Sequence, residues 1–119
     1  MKIRIKGNSL RYRLTKKDVE VFSANGYIEE TVDFANQTLI YALQRNNLAN
    51  LLAVFENNKI TLLMPATMAT EWELTDRVGF EGLYNKLFLL IEKDFKCLDN
   101  VAEDQSDNYP NPLLKTHIN

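Results

Sequence analysis

The chain has 119 residues, 45% apolar and 25% charged, with 14 Lys and Arg against 16 Asp and Glu and a formal charge of −2. That length suits one domain, and the negative balance disfavours a general nucleic-acid binder. No apolar run approaches the roughly 18 residues that span a membrane, and the opening MKIRIKGNS lacks an apolar signal core. The single cysteine, Cys97, allows no internal disulfide, so the expected setting is a reducing cytoplasm with no membrane partner.

The first fourteen residues change phase. Ile3 and Ile5 occupy odd positions, and Leu10, Tyr12 and Leu14 even ones. One continuous strand keeps one phase, so the chain must turn between them. Gly7-Asn8 suits a two-residue hairpin turn. The resulting register sets Ile5 against Leu10 and Ile3 against Tyr12 on one face. On the other it sets Lys2 against Arg13 and Arg4 against Arg11, with Lys6 beside Ser9. Like charges directly opposite one another destabilise a sheet, so these five cations require anions or must splay into solvent. Seven of the 14 Lys and Arg lie in residues 1–17, where there is no Asp or Glu. The acids all lie downstream, and self-neutralisation is the simplest expectation.

Thr15 followed by Asp18 reads as a helix N-cap with an acid at the third helical position, and Asn25-Gly26 as its stop. The expected helix covers about 16–24, with Val19 and Phe22 inward. Tyr27 to Phe34 alternates as a strand, Ala35-Asn36-Gln37 turns, and Thr38 to Gln44 returns. Glu29, Glu30 and Asp33 on the first of these strands are candidate partners for the basic hairpin. Leu51 to Met64 is a second clear hairpin, closed by Asn57-Asn58, with Phe55 against Ile60 and Ala53 against Leu62. Pro65 introduces a short helix over Ala66 to Trp72. Val78, Phe80 and Gly82 form a brief strand, and Asn85-Lys86 turns into Leu87 to Glu92. After a bend at Glu92-Lys93-Asp94, Phe95, Cys97 and Leu98 form one more extended piece. Residues 1–98 are read as the compact domain and 99–119, rich in acids, Asn and Pro, as a tail or strap. No internal repeat is legible.

Three blocks, MKIRIKGNSLRYRLT, DRVGFEG (Asp76 to Gly82) and IEKDFKCLDN…EDQSDNYPNP (Ile91 to Pro112), occur in order. In these the chain resembles a family of small bacterial proteins known as a domain of unknown function. The resemblance implies a compact single-domain bacterial protein and carries no activity or catalytic residue.

Chemistry-bearing constellations are sparse. Cys97 and His117 are single representatives of their types, which builds neither a metal site of His and Cys nor an evident nucleophile–base pair. Asp99, Glu103, Asp104 and Asp107 could offer oxygen ligands, but the spacing is not that of an EF-hand. There is no phosphate-cradling glycine loop and no nucleophile elbow. Trp72 with Asp76, Arg77 and the Val78–Phe80 backbone is either a core anchor or the wall of a pocket.

The expected architecture is α+β: a mainly antiparallel, curled or partly closed sheet of about seven strands with two short helices. The expected core comprises Ile3, Ile5, Leu10, Tyr12, Leu14, Phe22, Leu39, Tyr41, Ala53, Phe55, Ile60, Leu62, Leu89 and Ile91. The expected role is a non-enzymatic binding or interaction module, without cofactor or metal. It would take an anionic ligand or protein partner on Lys2, Arg4, Lys6, Arg11 and Arg13, with Glu29, Glu30, Glu92 and Asp94 as carboxylate partners. Two alternatives stand beside it. One is a Mg-assisted enzyme on a phosphate-containing or nucleotide ligand, with the arginines as clamps and the same carboxylates holding the ion. The other is a structural clasp between hairpin and acidic tail.

Overall fold

A computed structural model describes residues 1–95. The expected extended piece around Cys97, the tail and the domain boundary at 98 lie outside these residues. The order is β1 (Lys2–Lys6), β2 (Ser9–Leu14), α1 (Lys16–Asn25), β3 (Tyr27–Asp33), β4 (Thr38–Asn46), β5 (Leu52–Glu56), β6 (Lys59–Pro65), α2 (Ala66–Leu74), β7 (Gly79–Tyr84) and β8 (Leu87–Lys93).

The class is α+β, but there are eight described strands in two sheets, ordered β1-β2-β8-β7 and β3-β4-β6-β5. Both sheets are mixed: β2 pairs with β8 and β4 with β6 in parallel, while the four hairpins are antiparallel. The expected mainly antiparallel, curled or partly closed sheet of about seven strands is therefore corrected to two separate mixed sheets of four strands each. Hairpins join neighbours in sequence and leave turn signals. The parallel seams join strands far apart in the chain and leave none.

The local elements follow from the residues. Gly7 at φ 54° turns β1 into β2, because a glycine has no Cβ to clash in that region. Asn57 and Asn58, both at positive φ, do the same for β5 and β6. The Thr15 hydroxyl accepts from the Asp18 N–H at 3.2 Å while the Asp18 carboxylate accepts from the Thr15 N–H at 3.0 Å, a complete capping box. The Met1 ammonium lies 2.8 Å from the same carboxylate. Burial alone would raise the Asp18 pKa, but the ammonium and the Thr15 hydrogen bonds outweigh it and hold the group below its ordinary value. A depressed carboxyl stabilises the fold above its unfolded pKa, and that contribution fades as pH falls through the lower folded value. Asp18→Asn is therefore expected to cost about 1 kcal/mol at pH 7. The difference from wild type should shrink in urea titrations as pH drops below the carboxylate range; a pH-independent difference would contradict it.

The inner faces of the two sheets meet in one core. Leu10, Tyr12, Leu14, Leu89 and Ile91 come from the first, and Leu43, Leu62 and Met64 from the second. Tyr12 and Tyr41 meet edge-on with centroids 6.2 Å apart, and the buried Tyr12 hydroxyl donates to the Ile60 carbonyl at 3.2 Å. Phe22 of α1 and Trp72 of α2 close one end, T-shaped at 6.5 Å. Three expected core residues are not in it. Leu39 is only half-buried and lies outside the cluster. Ile5 is 62% exposed and Phe55 69%, because each sits on an edge strand next to its hairpin turn, beyond the reach of the facing sheet. Ile3, Tyr41, Ala53 and Ile60 pack against the core while half-exposed.

A repeat invisible in the sequence is plain in the topology. The orders β1-β2-α1-β3-β4 and β5-β6-α2-β7-β8 are the same ββαββ unit twice. Exchanging the units turns one sheet into the other, strand for strand.

Candidate functional site

The candidate site is the outer face of β1 and β2. The register anticipated from the sequence holds: Lys2↔Arg13, Arg4↔Arg11 and Lys6↔Ser9. On the far side of β2, the parallel strand β8 sets Glu92 level with Arg13 and Leu90 level with Arg11. This neighbour arrives through a parallel seam that leaves no turn signal in the sequence, and it supplies the counter-charge.

Glu92 Oε1 accepts from Arg13 Nε at 3.1 Å and Nη2 at 2.9 Å, and lies 3.6 Å from Arg11 Nε. One carboxylate oxygen thus serves two guanidiniums. Lys2 Nζ stands 3.2 Å from Asp94 Oδ2, although the lysine side chain is mostly exposed. Among the described residues, no carboxylate lies within ion-pair distance of Arg4 or Lys6. Lys2, Ile3, Arg4, Arg11 and Arg13 line a shallow depression of about 160 Å³. The face therefore sets five cations against two bonded carboxylates, and its surplus charge sits at the free edge of the sheet.

The other two candidate carboxylates are elsewhere. Glu29 and Glu30 lie on β3, in the opposite sheet. Glu29 accepts from the Tyr27 hydroxyl at 2.7 Å, and Glu30 stands 4.0 Å from the Met1 ammonium. The four acids do not converge. Among the described residues no three His, Cys, Asp or Glu side chains gather as a metal would need. The acidic tail residues proposed as ligands or as a clasp, with Cys97 and His117, lie outside the described part.

Trp72 is a core anchor. It is fully buried, and its indole N–H donates to the Val78 carbonyl at 2.9 Å. Arg77 lies over the Phe80 ring at 3.8 Å and pairs with Glu71 at 2.7 Å. Arg77 thus packs against the strand beside it, and neither it nor Asp76 lines the groove that Trp72 reaches. That groove, of about 660 Å³, runs between the helices, past Val19, Ser23, Trp72 and Phe95. Sequence reasoning missed it, because α1 and α2 are far apart in the chain and neither advertises the other. Asp94 lines it while holding Lys2.

No helix is long and apolar enough to cross a membrane among the described residues. No curated protein and no solved structure matches this chain. A family model does, over residues 1–113, and so takes in the basic hairpin, both sheets and a further stretch beyond Phe95. The chain belongs to that family of unknown function, DUF7009.

Proposed function

We propose that the protein is a non-enzymatic binding module whose outer β1–β2 face recognises an anionic partner through Lys2, Arg4, Lys6 and Arg11, with Arg13 held in place by Glu92. The observation that carries this reading is a comparison internal to the molecule. The β5–β6 hairpin occupies the same place in its unit and pairs in the same register. Where the first hairpin has Lys2↔Arg13, Arg4↔Arg11 and Lys6↔Ser9, the second has Leu52↔Leu63, Val54↔Thr61 and Glu56↔Lys59. The scaffold thus forms without the cations, and the cation-on-cation register opposes folding. A costly charge cluster that the fold does not need is best explained by something it binds.

Partial neutralisation fits this role. Glu92 fixes the Arg13 fork and approaches Arg11, while Arg4 and Lys6 remain for an incoming phosphate or carboxylate. The Mg-assisted enzyme loses ground because its carboxylates do not converge, Glu29 and Glu30 lying in the sheet opposite Glu92, and Glu92 is already hydrogen-bonded to Arg13 and ion-paired with Arg11.

The test is titration calorimetry at low salt with inorganic tripolyphosphate and with an acidic peptide, on wild type and on Arg4→Gln/Arg11→Gln. Affinity for at least one probe should fall at least tenfold in the variant, which corresponds to about 1.4 kcal/mol, while the melting temperature holds or rises. Failure of the wild type to bind either probe, or equal binding by the variant, rules the face out as an anion site.

A further inference from the structure

We infer that the chain is a tandem duplication of one ββαββ unit, and that each unit is the binding partner of the other because neither completes a sheet alone. The evidence is in matched registers. In the first unit Ile5 faces Leu10, and in the second Phe55 faces Ile60. The parallel seam pairs Leu10 with Leu89 and Leu14 with Lys93; its counterpart pairs Ile60 with Tyr41 and Met64 with Arg45. The third ladder pairs Phe80 with Ile91 and, equivalently, Ile28 with Leu43.

The connections match as well. The Phe88 N–H donates to the Asn8 carbonyl at 3.0 Å, and the Ile40 N–H donates to the Asn58 carbonyl at 3.0 Å. The Lys93 N–H donates to Val78 at 2.8 Å, and the Arg45 N–H donates to Gly26 at 2.9 Å. Lys93 Nζ reaches the carbonyl of Thr75 near the end of α2, as Arg45 Nη1 reaches that of Ser23 near the end of α1. Phe22 and Trp72, which are each other's equivalents, touch. A residue can touch its own counterpart only beside the axis that exchanges them, so a two-fold axis passes between the helices.

Neither unit is self-sufficient. Each contributes one hairpin to each sheet, and both parallel seams, β2–β8 and β4–β6, lie between units. A solitary unit would leave the inner edges of β2 and β4 without hydrogen-bond partners and would halve the core. The surface each half presents is thus an interface for a second ββαββ unit, supplied here by the same chain and in principle by another copy. Divergence has erased the sequence signal: Leu10/Ile60, Tyr12/Leu62, Leu14/Met64 and Phe22/Trp72 are equivalent by position and different by residue.

The linker tests this. Asn46 ends β4 level with Pro65 and Leu52 begins β5 level with Leu63, on opposite sides of β6, so the chain must cross two strand spacings and a two-residue offset along β6, about 12 Å in all. Deleting Leu48, Ala49 and Asn50 leaves a reach of about 10–11 Å, too short to close within one molecule. Each copy should then complete its sheets with the other unit of a second copy. The expected result is a dimer by sedimentation, with the wild-type circular dichroism and Trp72 fluorescence. A folded monomer overturns the inference. As a second measurement, a full-length chain with a protease site replacing Leu48-Ala49 is nicked, its halves are separated in denaturant, and each is refolded alone and mixed. Recovery of native Trp72 fluorescence in a 1:1 complex on mixing supports the proposal. Refolding of either half as a stable monomer, or no recovery on mixing, refutes it.

Discussion

Trp72→Ala is expected to remove about 3–5 kcal/mol of stability, which for a domain of about 5–15 kcal/mol leaves a large unfolded fraction near room temperature. Three losses act together. The indole is completely buried, so its removal opens a cavity where α2 meets the core. Its edge contact with Phe22 at 6.5 Å joins the two halves of the molecule. Its N–H satisfies the Val78 carbonyl at 2.9 Å, which the substitution would leave without that partner. Trp72→Phe keeps most of the packing and should cost about 1–2 kcal/mol. Urea unfolding followed by circular dichroism measures both. A loss below 1 kcal/mol for the alanine variant would mean that the inter-unit contact is not a main tie.

Gly79→Ala should cost about 2–3 kcal/mol, although it adds a single methyl group to a strand. A Cβ at this position would stand 2.1 Å from the Ile91 carbonyl oxygen and 2.8 Å from the Glu92 Cα. Both obstacles are backbone, so no rotamer change relieves them and β7 must move away from β8. The consequence reaches the candidate site. Glu92, directly opposite Gly79, is the residue that fixes Arg13 and approaches Arg11. The variant should therefore lose stability and also change the salt dependence of the anion binding proposed for this face. Crystallography or amide exchange along β8 would reveal the shift. A variant as stable as wild type would show that β7 has room that the present register does not allow.

Much of the candidate site was legible because hairpins are local. The phase change between Ile5 and Leu10, with Gly7-Asn8 between, is enough to set Arg4 against Arg11 and Lys2 against Arg13. The Thr15–Asp18 cap and the Asn57-Asn58 turn were readable for the same reason: their partners lie within a few residues. Ile5 and Phe55 show where local reading fails. Alternation says which face a residue takes, but not whether another sheet lies over that face.

The sequence alone determined the elements, the hairpin registers and the charge on the outer β1–β2 face, since each depends on side-chain period, turn chemistry and capping within a short stretch. Only the tertiary structure decided which hairpins lie side by side, and hence that Glu92 meets Arg13 while Glu29 and Glu30 do not. Parallel seams such as β2–β8 are backbone pairings between distant segments, selected by how two apolar faces close over one core. That selection is collective: Leu10, Leu89 and Ile91 are interchangeable as hydrophobic residues, and nothing in any one of them names its neighbour. The two-fold repeat of the ββαββ unit was hidden on the same grounds, because packing conserves position and volume around an axis without conserving residue identity.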